Sequence, residues 1–131
     1  MKNIAYIFYL SYKTEIQAMI PQIYQELKKF FDIDDNLLTL DNFKKYVGKC
    51  EIYWTFYSTL HDDIPQIENY LNNPQNIKQV IDILQENGII LTANQLMKKI
   101  RNTKIILNAA LKDICRCAIA FYYDNVRKND K

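Results

Sequence analysis

Apolar residues recur along the chain at intervals of three and four, the spacing of one face of an α-helix. The last third shows this best. At about 100° per residue, Leu96, Ile100, Leu107, Leu111, Ile114, Ala118 and Phe121 fall on one stripe, which predicts one amphipathic helix, or two in series, over 92–126. Its start carries a capping box, Thr92-Ala93-Asn94-Gln95, whose Thr hydroxyl and Gln amide can satisfy backbone amides left unpaired at a helix N-terminus. The opposite side carries Lys98, Arg101, Asn108, Lys112 and Arg116 within an arc of about 80°, with Ile105 and Tyr123 interleaved. Lys99, Thr103 and Lys104 intrude on the apolar stripe, so a break or a protruding end is expected near Asn102.

Upstream the same spacing recurs in shorter stretches. The apolar run over 4–12 fits a buried helix or a short buried strand, and we read it as helix with the N-terminal strand as the alternative. Ile16, Ile20, Ile23, Tyr24, Leu27, Phe30 and Phe31 make a second stripe, interrupted by Pro21, which predicts a kink or a new start near Ile20. Asp32-Ile33-Asp34-Asp35-Asn36 ends it. A third helix is expected from Thr39 or Asp41 to about Leu60, with Phe43, Tyr46, Val47, Cys50, Trp54 and Tyr57 on one face. Ile52 and Phe56 then lie about 120° or more from the centre of that face. Asp62 or Asp63 is placed to cap a shorter helix from Pro65, with Ile67, Tyr70 and Leu71 inward. Asn72-Asn73-Pro74 breaks it, and a helix from Gln75 carries Ile77, Val80, Ile81 and Leu84 until Gly88 closes it in a left-handed conformation.

The expectation is an all-α fold, a compact bundle of five or six helices ending in a long amphipathic one. Composition agrees: two Gly and three Pro are too few for a many-turned β-sandwich. With 131 residues the chain is read as one domain over 1–131, with 126–131 as a frayed tail. Three cysteines without framework spacing argue against a disulfide scaffold and for a reducing, cytoplasmic compartment. The N-terminal apolar run resembles a signal peptide in outline, but Ser11-Tyr12-Lys13 lacks a small-residue cleavage pattern, so we read it as mature structure. No stretch approaches the roughly 18 apolar residues of a membrane span, and no membrane partner is expected.

The formal charge of +2 conceals an asymmetry. Residues 1–91 hold eight Lys against twelve Asp and Glu, net −4, whereas 92–131 hold nine Lys and Arg against three Asp, net +6. A basic C-terminal third attracts phosphate, an acidic protein face, or the acidic remainder of its own chain.

Catalytic signals are weak. His61-Asp62-Asp63 contains metal-ligand types, but neighbours at a helix end rarely converge on one ion, and His61 is the only histidine. Cys115 and Cys117 diverge by about 160° on a helix and read as core thiols. Neither Ser11 nor Ser58 sits in a glycine-flanked elbow, and Cys50 and His61 are separated by about 16 Å of helical rise. Gly48 and Gly88 belong to no phosphate-binding loop. No enzyme, metal or cofactor is expected.

Binding signals are stronger. Ile52, Trp54 and Phe56 form an apolar group outside the expected core arc, the composition of an interface hot spot; a central helix packed on several sides is the competing reading. Lys98, Arg101, Asn108, Lys112, Arg116 and Tyr123 combine cations with an aromatic ring, as nucleic-acid binding requires, against the competing reading of a solvated helix face. A helix-turn-helix about Gly88 would place polar Asn94 at an apolar position. The leading expectation is a protein-protein interaction module, an inhibitor or small subunit of a larger complex that includes nucleoprotein assemblies. Viral and phage antagonists of host defence share this size and lack of motifs, an analogy without a matching motif. Nucleic-acid binding through the basic face is the alternative, and self-assembly into a homo-oligomer is the third.

Overall fold

The computed structural model describes residues 4–129, with side chains placed through 127. Among these residues the chain is an all-helical bundle: α1 (Ile4–Leu10), α2 (Lys13–Lys28), α3 (Leu40–Lys49), α4 (Glu51–Ser58), α5 (Ile64–Tyr70), α6 (Pro74–Glu86) and α7 (Ala93–Asn129). Short 3-10 turns cover Lys29–Asp32 and Asp35–Leu37. The organising element is α7, which packs against α1, α2, α3, α4 and α6. Its 37 residues extend about 55 Å. No helix among the described residues is long and apolar enough to cross a membrane.

The N-terminal run is helix. Ile4, Ile7 and Phe8 are buried while Tyr6 and Tyr9 are exposed, a three-and-four spacing; a strand would have buried alternate residues. The Ser11 hydroxyl donates to the Phe8 carbonyl at 2.6 Å where α1 ends. The α2 helix passes through Pro21 without a break, starting at Lys13 rather than Ile20, with Pro21 on its exposed side.

The expected single helix from Thr39 to Leu60 is two. Thr39 caps α3, its hydroxyl accepting from the Asn42 amide at 3.2 Å, and Cys50 leaves helical geometry at φ −63°, ψ 136°. One extended residue resets the helical phase. Ile52 and Phe56 therefore turn into the core, 8% and 0% exposed, and Trp54 turns out, 54% exposed. This reverses the faces that a continuous helix assigns to them.

A second correction concerns Asp62 and Asp63. The helix does not stop there: α4 runs into a π turn over Thr59–Asp63 and directly into α5, and Asp63 is helical with no capping bond from its side chain. Ile64 donates its amide to the Thr59 carbonyl, five residues back. The widened turn lies just before Pro65, whose ring would otherwise press on the carbonyl four residues earlier. The 51–70 stretch is thus one helical run, and the bundle contains six such runs among the described residues.

Asn73 caps α6, its side chain accepting from the Gln75 amide at 3.0 Å, with Pro74 in the first turn. At the other end Gly88 donates to Gln85 and Ile89 to Leu84, at 3.0 and 2.9 Å, the paired bonds of a Schellman motif. Gly88 has φ +80°, and a Cβ there would meet no atom within 4 Å. Gly88→Ala is therefore expected to cost about 1–2 kcal/mol from backbone strain alone, read as a lower melting temperature.

The capping box of α7 forms as its sequence specifies: Gln95 donates its amide to the Thr92 hydroxyl at 3.2 Å, and Thr92 donates its own to the Gln95 side-chain oxygen at 2.9 Å. The expected break near Asn102 is absent because each polar intruder finds a partner. Buried Thr103 donates its hydroxyl to the Lys99 carbonyl at 2.8 Å. The Lys99 ammonium lies 5.2 and 5.8 Å from the ring centres of Phe8 and Tyr12, and Lys104 pairs with both oxygens of Glu68 at 3.2 Å. Helix continues through Asn129, and residues 130–131 lie outside the described residues.

The core is apolar and rich in rings. Phe43 sits 5.2 Å from Phe30, 6.0 Å from Phe31 and 5.1 Å from Tyr122, and Tyr122 donates its hydroxyl to the Leu38 carbonyl at 3.0 Å. Tyr122 is deeper than Phe121, the residue its stripe nominated, since four residues after Ala118 stays closer to the core face than three does here.

Candidate binding surface

The outward face of α4 carries its aromatic residues at helical spacing. Tyr53 and Tyr57 stack at 6.0 Å with planes 20° apart, and Trp54 and Tyr57 at 5.8 Å and 21°. His61, in the π turn, continues the row, its ring 4.3 Å from that of Tyr57. Positions separated by three and four residues share a helix face, so the ladder follows directly from Tyr53, Trp54, Tyr57 and His61 standing in one helical run. Trp54 is more exposed than Tyr53 and Tyr57.

Opposite the ladder, α7 contributes Asn108, Leu111, Lys112, Cys115 and Arg116 to a groove of about 600 Å³ shared with Tyr53, Tyr57 and His61. Leu111 is buried and Cys115 half-buried, while Asn108, Lys112 and Arg116 are exposed. The Arg116 guanidinium pairs with Asp113 one turn earlier. Lys112 makes no ion pair among the described residues. Burial raises the Tyr53 hydroxyl pKa, with smaller contributions from Cys115 and Tyr57 beside it.

The candidate residues are dispersed. Asn108, Lys112 and Arg116 line the groove, Trp54 lies outside its lining with its ring 5.8 Å from that of Tyr57, and Ile52 and Phe56 belong to the core. Lys98 and Arg101 are exposed nearer the N-terminus of α7. Tyr123 is exposed beyond the groove, its ring edge-on to Tyr122 at 5.6 Å. Tyr53, Tyr57 and His61 were not among the candidates; their three-and-four spacing with Trp54 was the available signal.

A second groove of about 590 Å³ lies along the other flank of α7, where Tyr12, Lys13 and Ile16 face Lys99, Ile106 and Ala110. Beside it Tyr6, Tyr9 and Tyr12 form a partly exposed row with centroids 6.4 and 6.2 Å apart.

The thiols have different surroundings. Cys50 is buried at the N-terminal end of α4, its Sγ 3.5 Å from the Tyr46 carbonyl, while His61 is exposed beyond the other end. Burial, together with the Glu26 carboxylate, pushes the Cys50 pKa from 9.0 up to about 12. The unfolded chain therefore loses this proton first as pH rises, and stability is expected to fall between about pH 9 and 12. Urea midpoints across that window should fall more steeply for the natural chain than for Cys50→Ala, once each is referenced to its own value at pH 8. Cys115 is also raised by burial. Among the described residues, no group of three or more His, Cys, Asp or Glu is arranged to hold a metal ion.

Compared with protein-family models, curated proteins and solved structures, the chain matches none.

Proposed function

We propose that this protein is a non-enzymatic binding module that acts by occupying a surface on another macromolecule, using the Trp54 ladder and the Lys112 and Arg116 edge. The observation that carries the reading is the exposure of Trp54 in a stacked row of rings. Tryptophan, tyrosine and arginine dominate interface hot spots, and an aromatic row left in water gains by being covered. The high Cys50 pKa and the packing of the sole histidine against Tyr57 favour binding over nucleophilic catalysis. Three cysteines outside any disulfide fit a reducing, cytoplasmic setting. An inhibitor or a small subunit of a nucleoprotein complex is a role that such occupancy alone fulfils, and an antagonist of host defence is one example.

The test compares the natural chain and Trp54→Ala as immobilised baits, each checked for an unchanged thermal melt. A captured macromolecule retained by the first and lost from the second is the expected result. Identical capture by both baits overturns the assignment.

A further inference from the structure

We infer that the groove between α4 and α7 receives a single-stranded polynucleotide, with bases stacking on Tyr57 in the groove and on Trp54 beside it and phosphates lying along Lys112 and Arg116. This rests on the binding-module reading and specifies the partner's chemistry. Three features carry it. The Tyr53 and Trp54 rings each lie about 20° from parallel to Tyr57, with His61 tilted by 44°, so the three larger rings offer flat π faces of similar orientation rather than a deep apolar pocket for an aliphatic anchor. Lys112 and Arg116 line the same groove as Tyr53 and Tyr57, where a strand with its bases on the rings would run its backbone. A duplex keeps its base faces stacked internally and cannot use such a ladder, so single strands are selected.

Charge points the same way at longer range. Residues 92–131 carry net +6, and Lys98 and Arg101 continue the exposed basic side of α7 beyond the groove. Some neighbours oppose a polyanion: Asp113 pairs with Arg116, and Asp62 lies beside His61. Affinity is therefore expected to draw mainly on stacking. Contact with two phosphates, at Lys112 and Arg116, gives a log-log salt slope of about −1.4.

Trp54 is the only tryptophan, so its emission reports on the ladder directly. Anisotropy of labelled oligouridine and oligothymidine of about twelve nucleotides is measured against the full chain, alongside a duplex of equal length, from low to physiological salt. Single strands are expected to bind at least about tenfold more tightly than the duplex and to quench Trp54 emission, with Trp54→Ala losing about tenfold in affinity and Trp54→Phe recovering most of it. Lys112→Glu is expected to flatten the salt slope. The RNA and DNA arms establish which sugar is preferred, and binding of either supports the inference.

Equal affinity for duplex, binding without a Trp54 response, or no binding at low salt overturns it. If the oligonucleotides fail while a nuclease-resistant partner is still captured in a Trp54-dependent manner, the partner is a protein and the binding-module reading stands. Should Trp54→Ala alter neither experiment, both fall.

Discussion

Phe56→Ala is expected to destabilise the fold by about 3–5 kcal/mol, while Trp54→Ala, two positions earlier, changes stability by less than about 1 kcal/mol. Phe56 is fully buried against the region bordered by Ile16, Met19, Ile23 and Ile114, where side chains from α2 and α7 hold the space open after truncation. Partial relaxation is the reason large-to-small changes cost more than transfer alone. Typical domains have about 5–15 kcal/mol in total, so a loss of this size is a large fraction of the stability. Urea denaturation of the two variants measures the difference. The opposite ranking would return Phe56 to the surface and remove the phase reset at Cys50.

Phe43→Ala is expected to have a loss of similar size, about 3–5 kcal/mol, and to reveal the ring cluster as a unit. Phe43 is fully buried and lies within 6.0 Å, centre to centre, of Phe30, Phe31 and Tyr122. Tyr122→Ala removes a neighbour of the same ring and the hydroxyl that meets the Leu38 carbonyl. The double variant should lose less than the two single losses combined, with a coupling of about 0.5–1.5 kcal/mol from the aromatic contact. Strict additivity in denaturant titrations would mean that the rings do not act together. Tyr122→Phe separates the hydroxyl contribution, expected at about 1 kcal/mol.

The parts of the fold that were legible are those decided within a few residues. The Thr92 and Gln95 pair, the Gly88 terminus and the Asn73-Pro74 start each satisfy backbone groups locally, and their residue types state how. The stripe on α7 was legible because a helical period sums over many turns. The Cys50 break was not, since one residue in extended geometry needs neither Gly nor Pro and is selected by how α3 and α4 pack. The rest of that helical run inherited the error, which is why Ile52 and Phe56 were placed on the wrong side and the Tyr53, Trp54, Tyr57 and His61 row escaped notice. Continuity across Asn102 was hidden for a related reason. Lys99 and Lys104 are accommodated by Phe8, Tyr12 and Glu68, which are distant in sequence. Of the surface, the exposure of Lys98, Arg101, Asn108, Lys112 and Arg116 was readable from helical arithmetic, whereas their division between groove and open flank depends on where α4 lies.

The position of α7 in chain order governs how the molecule is made. Every helix that packs on it precedes it in the sequence, so during synthesis those segments leave the ribosome with their apolar faces uncovered. Ile7, Phe43 and Leu84 wait for residues translated after them. Assembly of this core consequently waits for α7, and nascent chains halted before residue 93 are more exposed to chaperones and proteases than those that include it.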